Sequence, residues 1–167
     1  MSDNNAYSQA VAQANSIIEM VGALNVDYER FNELRDEQHT IRNLGTVEEL
    51  AAFDSEFSEE LDELFKEANG NEDEDSAREA IQNDPLSVEV RAAWHTPTNS
   101  YVSPDEFMIL LCTGGPAVRI MGELDDLMQP CTAWIEYQDW FEPWKRAESI
   151  IAADVLLTYC QQFYFGE

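Results

Sequence analysis

Basic residues are scarce in this sequence. It contains nine lysine and arginine residues and two histidines, against 34 aspartate and glutamate residues, so its formal net charge is −25. Nucleic acids and anionic membrane surfaces repel a chain of this charge, so we expect no direct binding to either of them. The charge favours a basic protein as the partner.

Cysteine is also rare. The three cysteines, Cys112, Cys131 and Cys160, are an odd number at wide spacings, and no C-x-x-C or H-x-x-x-H pair accompanies them. Structural zinc sites need ligand pairs of that kind. We interpret the three residues as free, buried thiols in a reducing cytoplasm. We predict neither a metal ion nor another cofactor.

Long apolar runs and catalytic signatures are missing as well. No apolar run approaches the roughly 20 residues of a membrane-spanning helix, and no signal-peptide pattern begins the chain. Neither a phosphate-binding G-x-x-x-x-G-K-[S/T] loop nor a G-x-S-x-G motif occurs. Acidic pairs such as Glu59 and Glu60 fall on a helix face that we expect to be exposed, without the pocket that catalytic carboxylates need. We therefore expect a protein that is not an enzyme.

Acidic residues concentrate between positions 46 and 84, which hold 15 of them and two basic residues. Apolar residues recur there at steps of three and four, which predicts an amphipathic helix. Its apolar face consists of Leu50, Phe53, Phe57, Leu61, Leu64, Phe65 and Ala68. Its acidic face consists of Glu49, Glu56, Glu59, Glu60, Glu63 and Glu67. Thr46 and Glu49 have the spacing of a capping box, so the helix should begin there.

The acidic face has two interpretations that the sequence leaves open. Like charges one turn apart destabilise a helix, so stability alone does not explain the pattern. Residues 46–68 carry nine carboxylates, or about one per 4 Å of helix axis at roughly 1.5 Å rise per residue. One DNA strand carries one phosphate per roughly 3.4 Å. The face is either a solvated surface that keeps the protein soluble or a surface that a basic partner binds in place of nucleic acid.

Upstream, apolar residues repeat every seven positions in two series offset by three. The series are Tyr7, Ala14, Val21, Tyr28 and Ala10, Ile17, Leu24, Phe31. This spacing predicts one long helix from about Ser8, as its N-cap, to about Gln38. The apolar seam can pack on the acidic helix as an antiparallel hairpin, connected by residues 39–45, or against a second copy in a homodimer.

The rest of the chain predicts a short helix, a sheet and a final helix. Four acidic residues begin the short helix, where the helix dipole favours them, and Asp84-Pro85 ends it; they are Glu72, Asp73, Glu74 and Asp75. Alternation of period two predicts a half-buried strand over residues 86–94, and further strands follow at 107–113, 117–124 and 131–139. We expect Asp154 to cap a last helix.

These elements predict an α+β fold with two regions in one compact unit. Residues 1–84 form an acidic helical region, and residues 85–167 form an antiparallel sheet of about four strands with a C-terminal helix. We interpret the aromatic cluster around residues 134–144 as core and corner packing. Alternatively, Trp140 and Trp144 belong to a protein-binding patch, where tryptophan is enriched.

Several strings resemble small, acidic, uncharacterised proteins encoded by phages and prophages of Gram-negative bacteria. They are IIEMVGALNVDYERFNELRDE (17–37), DPLSVEVRAAWHTP (84–97), EFMILLCTGGPAVRIMGELDD (106–126), EYQDWFEPW (136–144) and YCQQFYFGE (159–167). The resemblance implies a mobile-element setting in the bacterial cytoplasm, where small acidic proteins often inhibit host defence proteins that handle DNA or RNA. It brings no catalytic motif.

Charge and resemblance together predict a phage-type inhibitor that binds a basic, nucleic-acid-handling host protein by nucleic-acid mimicry. A CRISPR effector or a restriction complex is the target that we expect. The acidic face of the helix and the four acidic residues at 72–75 are the predicted contact residues. The alternative is a non-enzymatic scaffold or adaptor that dimerises through its N-terminal helix and uses its acidity for solubility alone.

Overall fold

The computed structural model of the protein describes residues 3–97 and 102–166. Within these residues, five helices and one antiparallel sheet confirm the α+β class. The helices are α1 (Asp3–Ala23), α2 (Tyr28–Leu44), α3 (Val47–Glu67), α4 (Glu74–Asn83) and α5 (Ala153–Cys160). The strands are β1 (Ser87–Arg91), β2 (Glu106–Cys112), β3 (Ala117–Leu124), β4 (Pro130–Gln138) and β5 (Lys145–Arg146). The sheet has five strands where about four were predicted, because residues 145–146 form the short β5.

The prediction of one long N-terminal helix is wrong, because the chain forms α1 and α2 instead. Asp27 is the N-cap of α2, and its carboxylate accepts a hydrogen bond from the backbone N–H of Arg30 at 3.0 Å. The seven-residue spacing runs through the break between the helices, so the two series do not form one continuous seam. Ser8 lies inside α1, not at its N-cap.

The helices α2 and α3 form an antiparallel hairpin, whereas the prediction paired the acidic helix with one long helix of residues 8–38. Residues 39–44 belong to α2, so the connection is shorter than predicted and consists of Gly45 and Thr46. The capping box is confirmed, since Glu49 donates its N–H to the Thr46 hydroxyl at 3.2 Å and its carboxylate accepts the Thr46 N–H at 2.8 Å. Between the helices lie Phe31, Leu34, Phe53, Leu61 and Ala68. Phe65, predicted on the apolar face, is 65% exposed.

The helix α4 begins with a second reciprocal cap. The Asp73 carboxylate accepts the N–H of Ser76 at 2.7 Å, and the Ser76 hydroxyl accepts the N–H of Asp73 at 3.1 Å. Before it, Asn69 and Gly70 have positive φ values of 50° and 82°, which end α3. The helix ends at Asn83, before Asp84-Pro85, as predicted.

The sheet has the order β1-β2-β3-β4-β5, and every neighbouring pair is antiparallel. Its centre is a row of buried isoleucines on three strands, Ile109, Ile120 and Ile135. Next to this row, a Cβ at Gly122 would clash with the Phe107 ring and the Thr132 carbonyl oxygen, so only glycine fits. The predicted β2–β3 hairpin is confirmed, and Gly114 in its turn has a φ of 104°.

Helices contact one face of the sheet. The Tyr7 ring of α1 packs edge-on against Tyr137 of β4 with ring centroids 5.6 Å apart. The helix α5 packs beside β4 and buries Leu156, Tyr159 and Cys160. Its N-cap is Ala152 without a side-chain hydrogen bond, so the prediction that Asp154 caps this helix is wrong.

Burial corrects two expectations for the sheet. The strand β1 is largely exposed instead of half-buried, with Val88 at 38% and Val90 at 48% exposure. The three cysteines are free, but only Cys160 is buried, whereas Cys112 is partly buried and Cys131 is exposed. The β3–β4 register shifts beside Cys131, between Glu123 and Leu124, so alternation along β4 does not predict its burial.

The chain divides into two compact units. The first, here called the helical unit, is Glu19–Ala80; the second, the sheet unit, consists of Met1–Ile18 and Ile81–Glu167. The boundaries fall inside α1 and inside α4. Across residues 3–97 and 102–166, none of the helices has the length and apolar character needed to cross a membrane.

Candidate interaction surfaces

The helical unit concentrates the negative charge. Its sequence holds 20 acidic and five basic residues. Two of the basic residues are already engaged with acidic neighbours. Arg30 binds Glu60, and Arg78 lies 2.7 Å from Glu74 and 3.5 Å from Asp75. Local pairing therefore neutralises a small part of the charge of this unit.

Four of the exposed, unpaired glutamates of α3 lie close together along the helix and form what we call the acidic row. They are Glu56, Glu59, Glu63 and Glu67. No salt bridge to any of them occurs among the described residues. Steps of seven and four residues align Glu56, Glu63 and Glu67 along one line of the helix, and Glu59 lies beside that line.

The groove beside the C-terminal end of this row is acidic too. It has a volume of about 620 Å³ and is lined by Glu19, Gly22, Asn25, Glu63, Lys66 and Glu67. Three carboxylates thus face one lysine within the helical unit. The acidic surface therefore extends from α3 to the last residues of α1.

Two predicted contact residues serve the hairpin itself. Glu49 closes the capping box with Thr46, and Glu60 accepts two hydrogen bonds from the Arg30 guanidinium, at 2.7 Å and 3.0 Å. The hydrogen bond from Arg30 lowers the pKa of Glu60, although partial desolvation opposes it. These two carboxylates hold α3 in place, so they are less available to a partner than the acidic row.

The four acidic residues at the start of α4 are all exposed. Asp73 is the capping residue, and the hydrogen bonds from the Ser76 backbone and side chain lower its pKa. Glu74 and Asp75 face Arg78, whereas the carboxylate of Glu72 is unpaired among the described residues. Of the ten predicted acidic contact residues, the acidic row and Glu72 therefore carry charge that the protein does not itself neutralise.

On the sheet unit, the face turned away from α5 carries an arginine–tryptophan network. The Arg119 guanidinium lies 4.0 Å from the centre of the Trp144 ring, and its Nε and Nη2 donate to Glu136 Oε2 at 2.9 Å and 2.7 Å. Trp134 Nε1 donates to the other oxygen of Glu136 at 3.0 Å. Trp144 is therefore occupied within the protein, which the sequence did not reveal.

Only one residue of the predicted patch of Trp140 and Trp144 takes part in this network. Trp140 is 62% exposed, and its neighbour Phe141 is fully exposed with a φ of 62°. The interpretation of this corner as core packing is therefore wrong for these two residues. Trp140 remains available for contact, whereas Trp144 stacks on Arg119.

The structure favours the protonated form of two cysteines, Cys112 and Cys160, and of Tyr159. Burial raises the pKa of the Cys160 thiol and of the Cys112 thiol. Burial also raises the pKa of Tyr159, and so does its hydrogen bond to Asp84, at 2.6 Å. These groups stay protonated at neutral pH. Within the described ranges, no three His, Cys, Asp or Glu side chains are grouped so that they would hold a metal ion.

No protein-family model, no curated protein and no solved structure matches this chain. The surfaces described above are therefore the basis for a functional proposal.

Proposed function

We propose that the protein is an inhibitor that binds a basic, nucleic-acid-handling protein and occupies the partner's nucleic-acid-binding surface with its helical unit. The acidic row supports this proposal most directly, because its four carboxylates are exposed and unpaired. The resemblance to phage-encoded proteins favours a bacterial defence protein, such as a CRISPR effector or a restriction complex, as the partner in the cytoplasm.

The acidic row is held on a rigid support. The capping box fixes the start of α3, the Arg30–Glu60 ion pair ties its middle to α2, and Leu61 is buried between the two helices. A helix backbone that is already in position loses little conformational freedom when a partner binds. A flexible acidic segment would lose more, so this support favours a binding role over a purely solubilising one.

The alternative role as a scaffold that dimerises through the N-terminal seam has less support. Ala10, Ala14 and Ile17 of the predicted seam are fully buried within the chain itself. Such residues are not exposed to a second copy unless the sheet unit opens. These three residues therefore serve packing within the chain.

The proposal is tested by removing the acidic row without changing shape. Glu56, Glu59, Glu63 and Glu67 are replaced together by Gln, which preserves size and helix propensity. The control removes four exposed acidic residues of the sheet unit by Asp126→Asn, Glu142→Gln, Glu148→Gln and Asp154→Asn. The two variants have the same net charge, so any difference between them reports on the position of the charges.

Each protein is immobilised, exposed to bacterial lysate and washed at increasing salt, and bound proteins are then eluted with duplex DNA. We expect the wild type and the control to retain nucleic-acid-binding proteins that DNA displaces. The row variant should lose most of this binding at low salt, because competitive charge pairing depends on summed charge. Equal retention by the two variants, or partners that DNA fails to displace, would contradict the proposal.

A further inference from the structure

The strand β1 is an open edge of the sheet. It pairs with β2 on one side, and no described strand lies on its other side. Open edges are usually blocked by lysine, proline or a bulge, because their free N–H and C=O groups pair with other strands. The residues of β1, SVEVR, contain neither lysine nor proline, and their two charged residues, Glu89 and Arg91, have opposite signs, so they do not repel a second copy of the strand. The opposite edge, β5, has only two residues and offers little to pair with.

Apolar side chains are exposed along this edge. Val88 and Val90 lie opposite Ile109 and Phe107 of β2, on the face that the helices cover elsewhere. Nevertheless, Leu86, Val88 and Val90 are 61%, 38% and 48% exposed. Beyond the strand, Trp94 is fully exposed. An exposed apolar edge of this kind is typical of a protein interface.

We propose that β1 pairs in antiparallel fashion with β1 of a second copy, about a two-fold axis at Val90, so that the two sheets become continuous. In this register Val90 lies opposite Val90 of the second copy. Val88 lies opposite Ala92 of that copy, and Leu86 lies opposite Trp94. The exposed apolar residues of each edge thereby cover one another.

Charge selects this register among the alternatives. With the axis at Val90, Glu89 of each copy lies opposite Arg91 of the other, and opposite charges across strands stabilise a pair. Arg91 also pairs with Glu106 of its own β2, but its side chain stays largely exposed to a second carboxylate. An axis at Glu89 or at Arg91 would place like charges opposite each other. An axis at Val88 would leave both charges without a charged partner, because Glu89 would lie opposite Ser87 and Arg91 opposite Pro85. A shift by a single residue would place valine opposite charged side chains.

Salt distinguishes this association from the proposed inhibitor function. Each copy carries a formal net charge of −25, so two copies repel each other. Added salt screens that repulsion, since the Debye length falls from about 10 Å at 0.1 M to about 3 Å at 1 M. Self-association through β1 should therefore strengthen with salt, whereas binding of a basic partner to the acidic row should weaken. An experiment can therefore contradict self-association through β1 without contradicting the proposed inhibitor function, and the reverse also holds.

Sedimentation equilibrium across a salt series tests the proposal with two matched variants. Val90→Lys places two like charges opposite each other at the axis. Val47→Lys makes the same change at an exposed valine of α3 and serves as the control. We expect the wild type and Val47→Lys to dimerise increasingly with salt, and Val90→Lys to raise the dissociation constant at least about tenfold, since like charges directly opposite are destabilising. Retained thermal melting excludes unfolding as the cause.

Cross-linking determines the register. In a Cys131→Ser background, Val90→Cys places two thiols opposite each other, within the Cβ separation that a disulfide bridges after little adjustment. Val88→Cys leaves its two thiols four positions apart along the strands, about 13 Å. With oxidised glutathione, the first variant should form a covalent dimer and the second should not. A wild type that stays monomeric at every salt concentration, a dimer that Val90→Lys leaves intact, or equal cross-linking of both variants overturns the proposal.

Discussion

Glu60 and Glu63 show how differently two glutamates of the same helix are used. Glu60 accepts two hydrogen bonds from Arg30, and its pKa is lowered by them. Glu63 is exposed and has no ion-pair partner among the residues described. The sequence assigned both to one acidic face, because periodicity places a side chain on a face but does not identify its neighbours on another helix.

The Arg30–Glu60 pair predicts a pH effect on stability. Because the pKa of Glu60 is lower in the folded state than in the unfolded state, the pair stabilises the fold above the unfolded pKa of about 4.3. That contribution is lost as the pH falls through the lower, folded-state pKa. Glu60→Gln removes this titration.

Urea unfolding between about pH 6 and pH 3 measures this effect. We expect the free energy of unfolding to fall less steeply with decreasing pH in Glu60→Gln than in the wild type. Glu63→Gln, a change to an unpaired neighbour, serves as the control and should follow the wild type. Parallel pH curves for Glu60→Gln and the wild type would show that the pair does not stabilise the fold.

At the scale of elements, the break between α1 and α2 is the main departure from the sequence-based prediction. The apolar spacing fits each helix separately, so it does not reveal where one ends. The deciding contact is the bond from the Arg30 N–H to Asp27, which satisfies a helix-end donor that a continuous helix would not expose. The sequence does contain a signal for the start of α2, since aspartate is a favoured N-cap residue. The seven-residue repeat that runs across Asp27 nevertheless favoured one continuous helix.

Substitution of Asp27 tests the role of this cap. Asp27→Ala removes the acceptor and should lower the free energy of unfolding by about 1 kcal/mol. Asp27→Asn keeps a capping oxygen and should cost less. Urea unfolding followed by far-UV circular dichroism distinguishes them. If Asp27→Ala and Asp27→Asn lower the free energy of unfolding equally, the Asp27 cap does not stabilise the break between α1 and α2.

Patterns among residues a few positions apart predicted many elements correctly. Features that depend on contacts between residues far apart in sequence were not predicted correctly. The Thr46–Glu49 box and the Gly114 turn depend on neighbours within a few residues, which a sequence displays directly. The exposure of Val88 depends on whether a second layer covers the sheet edge, and alternation does not contain that information. Likewise, the stacking of Trp144 on Arg119 joins residues far apart in sequence, and the sequence offers no signal for it.

At the scale of the whole molecule, the high net charge determines how salt affects the stability of the fold. A formal charge of −25 makes the folded state repel itself, because folding brings like charges together. The effect is concentrated in the helical unit, where the 20 acidic residues outnumber the basic ones four to one. Salt should therefore stabilise this protein, even though it weakens individual ion pairs such as Arg30–Glu60.

We expect the melting temperature to rise between about 0.01 M and 0.15 M salt, as the Debye length falls from about 30 Å to about 8 Å. Each kcal/mol of relieved repulsion should raise it by roughly 2–4 °C for a chain of this size. The variant that lacks the acidic row has less repulsion and should gain less. A melting temperature that falls with salt would show that ion pairs outweigh repulsion.

The division of the chain also sets an order for folding during synthesis. The helical unit is continuous, so all of Glu19–Ala80 is synthesised before the strands and α5 of the sheet unit. The sheet unit starts with residues of α1 but needs β4 and α5, which are translated much later. Domains fold as units while the chain emerges. The hairpin of α2 and α3 should therefore form before Tyr7 can contact Tyr137. A chain that ends after α4 and is released from the ribosome should already display the acidic row.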